Sequence, residues 1–222
     1  NVIWLHAVSV GEISAAEAIL ENLKKEFPHS KIVISNTTRG GRAVAEKLAA
    51  NSDMVIYFPF DISFIVTRAI FRINPKIFIL VDTEIWPNMI RALSKRNIPT
   101  VLINGRISGR AFEGYSIIRP ILKSTFEKID LLCMQTKLDA IRVEALGARP
   151  ERIEVAGNLK FDSALKTEKN LSEIKDEFKD IADFIGNSKI FIAGSTHPGE
   201  ENIILNVFSK LRNESADLKL II

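Results

Sequence analysis

From Val2 onward, short apolar runs alternate with stretches in which apolar residues return every third or fourth position. The runs at 2–8, 31–35, 54–58, 76–81, 100–103, 130–135 and 153–156 predict strands; Ile77-Phe78-Ile79-Leu80-Val81 is the longest unbroken apolar stretch among them. Helical periodicity fills the gaps. It predicts helices at 13–27, from Thr37 to about Ala49, at 62–72 with Asp61 as N-cap, up to about Arg96, at 109–128 with a break at Pro120, and at 138–146. Strand and helix taking turns in this way predict an α/β fold: a Rossmann-like domain with a parallel sheet and helices on both faces.

The pattern changes after Gly157. Residues 160–180 are rich in Lys, Asp and Glu and poor in large apolar positions, which suits a linker with a surface helix. A new cycle then starts with a strand at 189–193, a loop through Gly199, a helix from Glu200 to about Leu211 and a terminal apolar run at 218–222. The division expected is therefore a first domain at 1–163, a linker at 164–187 and the truncated start of a second Rossmann-like domain at 188–222. The chain opens directly on strand residues and closes inside an apolar run, so it reads as a piece of a longer protein.

Composition narrows the function classes. A 46% hydrophobic fraction and a net charge of +3 describe an ordinary globular chain with a mild tilt toward acidic partners and no nucleic-acid signature. No apolar run approaches the roughly 18 residues of a membrane span. Cys133 is the only cysteine and sits in Leu131-Leu132-Cys133-Met134, which excludes an internal disulfide or a thiolate metal cluster and marks it as a small buried hydrophobe.

The candidate chemistry gathers at predicted strand ends. Glu12 follows the first strand through a Gly turn and opens the first helix, where the macrodipole favours its ionised form; a capping role and a catalytic one fit it equally. Asp82 and Glu84 follow the strongest strand and could meet Glu12 in one crevice as an acid/base pair, as a metal site without the usual His, or as helix caps. Arg39 and Arg42 beside Gly40-Gly41, and Arg106 and Arg110 around Ser108, suit a phosphate or carboxylate ligand. Gly194-Ser195-Thr196-His197-Pro198-Gly199-Glu200 joins a strand to a helix N-terminus and describes an anion site. It lacks the Gly-Lys-Ser/Thr ending of a Walker loop, and no GxGxxG follows the first strand, so a P-loop enzyme and an NAD-dependent dehydrogenase are disfavoured. Arg68 and Arg72 flank Ile62, Phe64, Ile65, Ile70 and Phe71; contact with a membrane surface is conceivable there, and packing on the sheet is the expected use of that face.

Five motifs in order carry a resemblance over the whole chain: HAVSVGE at 6–12, DTEIWPN at 82–88, NGRIS at 104–108, GNLKFD at 157–162 and AGSTHPGE at 193–200. In these the chain resembles the 3-deoxy-D-manno-octulosonic acid (Kdo) transferases. The resemblance implies a GT-B-like glycosyltransferase, with an acceptor-binding first domain and a second domain holding most of the nucleotide. It implies transfer of Kdo from CMP-Kdo to the lipid A precursor of lipopolysaccharide by direct displacement with inversion. Glu12 matches the family's general base, Arg106 a motif facing the cleft that Asp82 and Glu84 would line, and Lys160, Ser195, Thr196 and His197 positions near the donor.

On the same resemblance no metal or other cofactor takes part. The partners are CMP-Kdo, the lipid A precursor and a membrane surface, with no nucleic acid. The expected place is the cytoplasmic face of the bacterial inner membrane, held peripherally or by an anchor outside these residues. Asp82 stands where the family commonly has Glu, which shortens the reach of that carboxylate. Two other readings remain open: another GT-B enzyme such as a sugar-nucleotide epimerase, and a non-catalytic domain that binds acidic lipid.

Overall fold

A computed structural model describes residues 1–49, 53–159 and 179–222. The chain falls into two compact units, Asn1–Leu165 and Lys166–Ile222. The first is built on strands β1 (Val2–His6), β2 (Lys31–Asn36), β3 (Met54–Tyr57), β4 (Ile77–Val81), β5 (Thr100–Gly105), β6 (Leu131–Met134) and β7 (Ile153–Val155). They form a seven-stranded sheet in the order β3-β2-β1-β4-β5-β6-β7, and every neighbouring pair is parallel.

Side chains alternate across the sheet, so each inner strand serves two cores. Trp4, Val33, Phe78, Leu80, Leu102 and Leu132 face one side, where they meet helices α3 (Ser63–Ile73), α4 (Pro87–Ser94), α6 (Arg119–Phe126) and α7 (Lys137–Ala145) through Val66, Ile70, Met89, Leu93, Phe126 and Val143. Ile3, Leu5, Ile32, Ile34, Ile79 and Val81 face the other, against Ile13, Ala16 and Leu20 of α1 (Val10–Glu26) and Ala45 of α2 (Arg39–Leu48). The predicted α/β layering, with helices on both faces, is the observed one. Helix α5 (Gly109–Ile117) stops at Ile118, one residue before α6, and Pro120 sits in the first turn of α6, where its missing N–H costs nothing.

Two local expectations are corrected. Helix α1 begins at Val10 rather than Ile13, with Ser9 as N-cap, which places Glu12 inside the first turn. Asp61 does not cap α3, whose N-cap is Ile62. Its carboxylate instead accepts the N–H groups of Asn88 (3.0 Å) and Met89 (2.8 Å) and so caps α4 across the chain.

The second unit holds a short helix α8 (Lys179–Ile185), a parallel pair of strands β8 (Ile190–Ile192) and β9 (Lys219–Ile221), and helix α9 (Glu200–Glu214) between them. Strand, helix and parallel strand form the unit of which Rossmann-like sheets are made.

Candidate active site

The chain runs outward from β1 to β2 and β3, then crosses back to place β4 on the other side of β1. This reversal leaves a crevice beyond the carboxyl ends of β1 and β4, the place where open α/β sheets put ligands. Glu12 enters it from the turn after β1, and Asp82 and Glu84 enter it from the loop after β4. The crevice is thus lined by carboxylates brought together from positions 70 residues apart (82 − 12).

Glu12 is half-buried. Its Oε2 accepts the Val8 N–H at 2.6 Å and its Oε1 the Ser9 hydroxyl at 3.0 Å. These bonds favour the charged form, yet burial outweighs them, and with the repulsion of nearby Asp82 it holds the Glu12 pKa above the ordinary carboxylate value. Glu84 is likewise pushed up, first by burial and then by the charges of Glu12 and Asp82. Tyr115 reaches the same group from α5; burial, then Glu84 and Asp82, hold its phenol protonated above the usual range. Asp82 itself lies in the left-handed region at φ 64°, its Oδ1 accepting the Thr83 N–H at 2.7 Å and its backbone N–H held by Ile103 O at 2.9 Å. Such a conformation in a non-glycine residue is uncommon and needs surrounding bonds to hold it.

Arg106 is fixed through its backbone, which the Thr83 hydroxyl clasps from both sides: the hydroxyl donates to Arg106 O at 2.6 Å and accepts the Arg106 N–H at 2.8 Å. The guanidinium is exposed. Behind it, Asn104 (φ 57°) is buried and accepts the Leu159 N–H at 3.1 Å, while Gln135 donates to Asn104 O at 3.0 Å. The described start of the 157–162 motif is therefore tied to the end of β5 through Leu159, and Lys160 lies outside the described residues. Asp139 accepts the Ile107 N–H at 2.8 Å, completing the turn after β5.

His6, the first residue of the opening motif, is fully buried beneath this crevice. Its Nδ1 lies 3.1 Å from Ser35 O and 3.0 Å from Ser35 Oγ, and its ring stacks on Phe58 with centroids 3.9 Å apart; Trp86 stands edge-on at 5.9 Å. Burial lowers its pKa to about 4, so the ring is neutral near pH 7.

In the second unit, Ser195 adopts φ 61° and Gly199 φ 99° at the entry to α9. Glu200 accepts the His197 N–H at 2.9 Å and Glu201 the Gly199 N–H at 3.1 Å, so the chain's own carboxylates satisfy the amides expected to face an anion. Glu201 is pulled below the ordinary carboxylate range by backbone hydrogen bonding and the Thr196 side chain. Cys133 is half-buried rather than fully buried, and burial, then Glu154, push its thiol up, away from the thiolate a nucleophile needs. Among the described residues no group of His, Cys, Asp and Glu is placed to hold a metal ion, and no helix is long and apolar enough to cross a membrane.

The sheet order, followed by a second strand–helix–strand unit, is that of an α/β protein of the GT-B-like kind. Solved structures of that fold match the chain: UDP-GlcNAc 2-epimerase from Neisseria meningitidis bound to UDP-GlcNAc superposes with a TM-score of 0.72 at 16% identity, covering 99% of this chain and 64% of that one. The UDP-GlcNAc 2-epimerase from Methanocaldococcus jannaschii gives 0.55, also at 16%, over 100% and 73%. At such identity the likeness carries the fold alone.

Residues 1–163 match the family of 3-deoxy-D-manno-octulosonic-acid transferases, and the chain belongs to it. A Haemophilus influenzae 3-deoxy-D-manno-octulosonic acid transferase is 33% identical over 99% of this chain and 51% of its own length. A bifunctional glycosyltransferase/methyltransferase of Fusobacterium nucleatum subsp. nucleatum is 37% identical over 95% of this chain and 33% of its own. The chain spans about half the length of the first of these relatives and about a third of the second.

Proposed function

We propose that this chain is the acceptor-binding part, with the opening of the donor-binding part, of an inverting glycosyltransferase that moves Kdo from CMP-Kdo to the lipid A precursor at the membrane carrying that lipid. The observation that supports this most is the meeting of Glu12 with Asp82 and Glu84 at the β1/β4 switch point, in a chain of the Kdo transferase family. Glu12 takes the proton of the acceptor hydroxyl. The hydroxyl oxygen bonds to the anomeric C2 of Kdo from the face opposite the leaving group, the C2–O bond to CMP breaks, and CMP departs with the electron pair. A carboxylate whose pKa is raised is a stronger base than an ordinary one, which suits proton removal from an alcohol.

In this reading CMP leaves as a stable anion and basic groups, without a metal, receive its charge. Lys160, Ser195, Thr196 and His197 are the donor-side residues, and a bound phosphate would displace Glu200 and Glu201 from the amides before α9. Arg106 faces the acidic substrates at the cleft.

Incubating the full-length gene product with CMP-Kdo and lipid A precursor tests the assignment. Glu12→Gln keeps the shape of the side chain and an oxygen for the Val8 N–H, and is expected to lower turnover at least about a hundredfold. Turnover near that of the wild type would remove Glu12 as the base, and an epimerised donor with no glycosylated lipid would remove the transferase reading.

A further inference from the structure

Two neighbouring rings, His6 and Trp86, each leave one buried nitrogen without a partner inside the protein: His6 Nε2 and the indole Nε1 of Trp86. The other side of the His6 ring is fixed. Its Nδ1 lies 3.1 Å from Ser35 O, a carbonyl that only accepts, so the proton is assigned to Nδ1 and Nε2 is left as an acceptor. Ser35 Oγ is itself held by the Trp4 indole N–H at 2.8 Å, and Phe58 covers the face of the imidazole. The Trp86 N–H only donates. The two orphans are therefore complementary, on rings that stand edge to face with centroids 5.9 Å apart and whose nitrogens do not bond one another. A buried polar atom without a partner is rare and costly, and two of opposite kind on adjacent rings point to a shared third group. Trp86 also matters for its place in the chain. Thr83 is clasped to Arg106, and Asn88 and Met89 are tied to Asp61, which leaves Glu84 between two fixed points. Among the described residues, neither Ile85 nor Trp86 makes a hydrogen bond outside α4.

We infer that one buried water molecule accepts the Trp86 Nε1–H and donates to His6 Nε2, and that His6 is thereby a positioning residue, tying the loop that carries Glu84 to β1, the strand that leads into Glu12. The chemistry of the pair selects this group. A cation would meet the indole N–H and an anion the Nε2 lone pair, so only a group that both accepts and donates satisfies the two. Both nitrogens are shut off from solvent, which leaves a substrate hydroxyl no path to them, whereas a single water is small enough to be enclosed and bridges nearly as well as a direct bond. The link joins the opening motif to the 82–88 motif across paired strands, where His6 stands opposite Leu80, just before Asp82. Its consequence is electrostatic. Burial and the charge of Asp82 raise Glu12, burial and the charges of Glu12 and Asp82 raise Glu84, and Glu84 and Asp82 act on Tyr115, so these values depend on the loop staying close to β1. The purpose of the link rests on the base proposed for Glu12; the water and the positioning are tested without turnover.

Nuclear magnetic resonance of the isotope-labelled 222-residue chain reads each part. The chain has two tryptophans and so two indole N–H signals. Trp86 is expected to show a nuclear Overhauser contact to a long-lived water, with Trp4, bonded to Ser35 Oγ, as the buried control without one. The nitrogen shifts of His6 are expected to be those of a neutral ring protonated on Nδ1. Trp86→Phe keeps a ring in the edge-on place and removes the donor. Carboxyl-carbon titrations in that variant are expected to shift both Glu12 and Glu84 to lower pH, toward the ordinary carboxylate value, because a loosened loop is better solvated and sets the charges farther apart. His6→Phe keeps the stack on Phe58 and removes Nε2, and the Trp86 N–H is expected to lose its water contact. Circular dichroism and the Trp4 signal verify that the variants fold; if His6→Phe does not, the wild type and Trp86→Phe decide. A Trp86 N–H without a water contact in the wild type, a proton on His6 Nε2, or unmoved titrations of Glu12 and Glu84 in folded Trp86→Phe would each overturn the inference. Turnover plays no part in these readouts. Retained activity in Glu12→Gln would remove the base and leave the link standing, and failure of the link would leave the base standing.

Discussion

At Glu12 a bonded role at a helix start and the proposed role of base fall on one carboxylate. Its bonds to Val8 N and the Ser9 hydroxyl secure the start of α1. Capping and proton transfer compete on the sequence alone; the fold shows the capping bonds, and proton transfer is the role proposed above. The neighbouring charge gives this a measurable form. Asp82 repels ionised Glu12 and so adds to the raised pKa. Asp82→Asn removes that repulsion, and with Glu12 as the proposed base the acid limb of kcat/KM for the full-length protein is expected to move to lower pH, because Glu12 then stays deprotonated further into acid. An acid limb that moves up, or stays fixed while turnover is retained, would separate Asp82 from the base.

At the scale of elements, position depends on bonds between segments far apart in sequence. Asp61 joins the start of α3 to the start of α4, with Ser63 and Asn88 bonded alongside it. Asp61→Ala leaves the first amides of α4 without their acceptor and is expected to cost about 1 kcal/mol in urea unfolding. A loss well under half of that would mean the cap is replaced by water. Asp61 also shows where sequence reading stops. A small acid before an apolar-periodic run is a local helix signal, and the acceptor role toward residues 88 and 89 exists only once β4 is in place. Strands were legible because burial on both faces requires unbroken apolar runs, and Glu12, Asp82 and Glu84 were legible because ligands gather at carboxyl ends of strands. Tyr115 was not, since a phenol from the far helix carries no periodic signal, and Asn104 and Thr83 stood inside quoted motifs without any sign of the backbone clasps they make. Phe64 and Phe71 misled for a related reason: an aromatic in an amphipathic helix is expected inside, and only the helical phase set by Val66 and Ile70 turns them out.

At the scale of the whole first unit, a buried His and two half-buried carboxylates with shifts of opposite sign meet at the same end of the sheet. His6 titrates at about 4 against an ordinary 6.5. Between those values the unfolded chain takes up a proton that the folded chain refuses, so acidification from pH 6.5 toward 4 removes stability, on the order of 3 kcal/mol at most. Glu12 and Glu84 have raised values, so the folded chain holds their protons more tightly than the unfolded one. Their contribution is fully present below the ordinary value of 4.5 and is lost as pH rises through the folded value, which makes the ionised pair a burden at neutral pH. Glu84→Gln lifts that burden without touching His6. The variant is expected to be more stable than the wild type at pH 7, and the gap is expected to close as pH falls below 4.5, leaving the variant with the steeper acid loss. Urea midpoints from pH 4 to 8, followed by tryptophan fluorescence, resolve this cleanly, because both tryptophans of the chain, Trp4 and Trp86, lie in the first unit. A gap that widens on acidification would show that Glu84 is stabilised as the anion, and that the three carboxylates of the crevice do not share one electrostatic field.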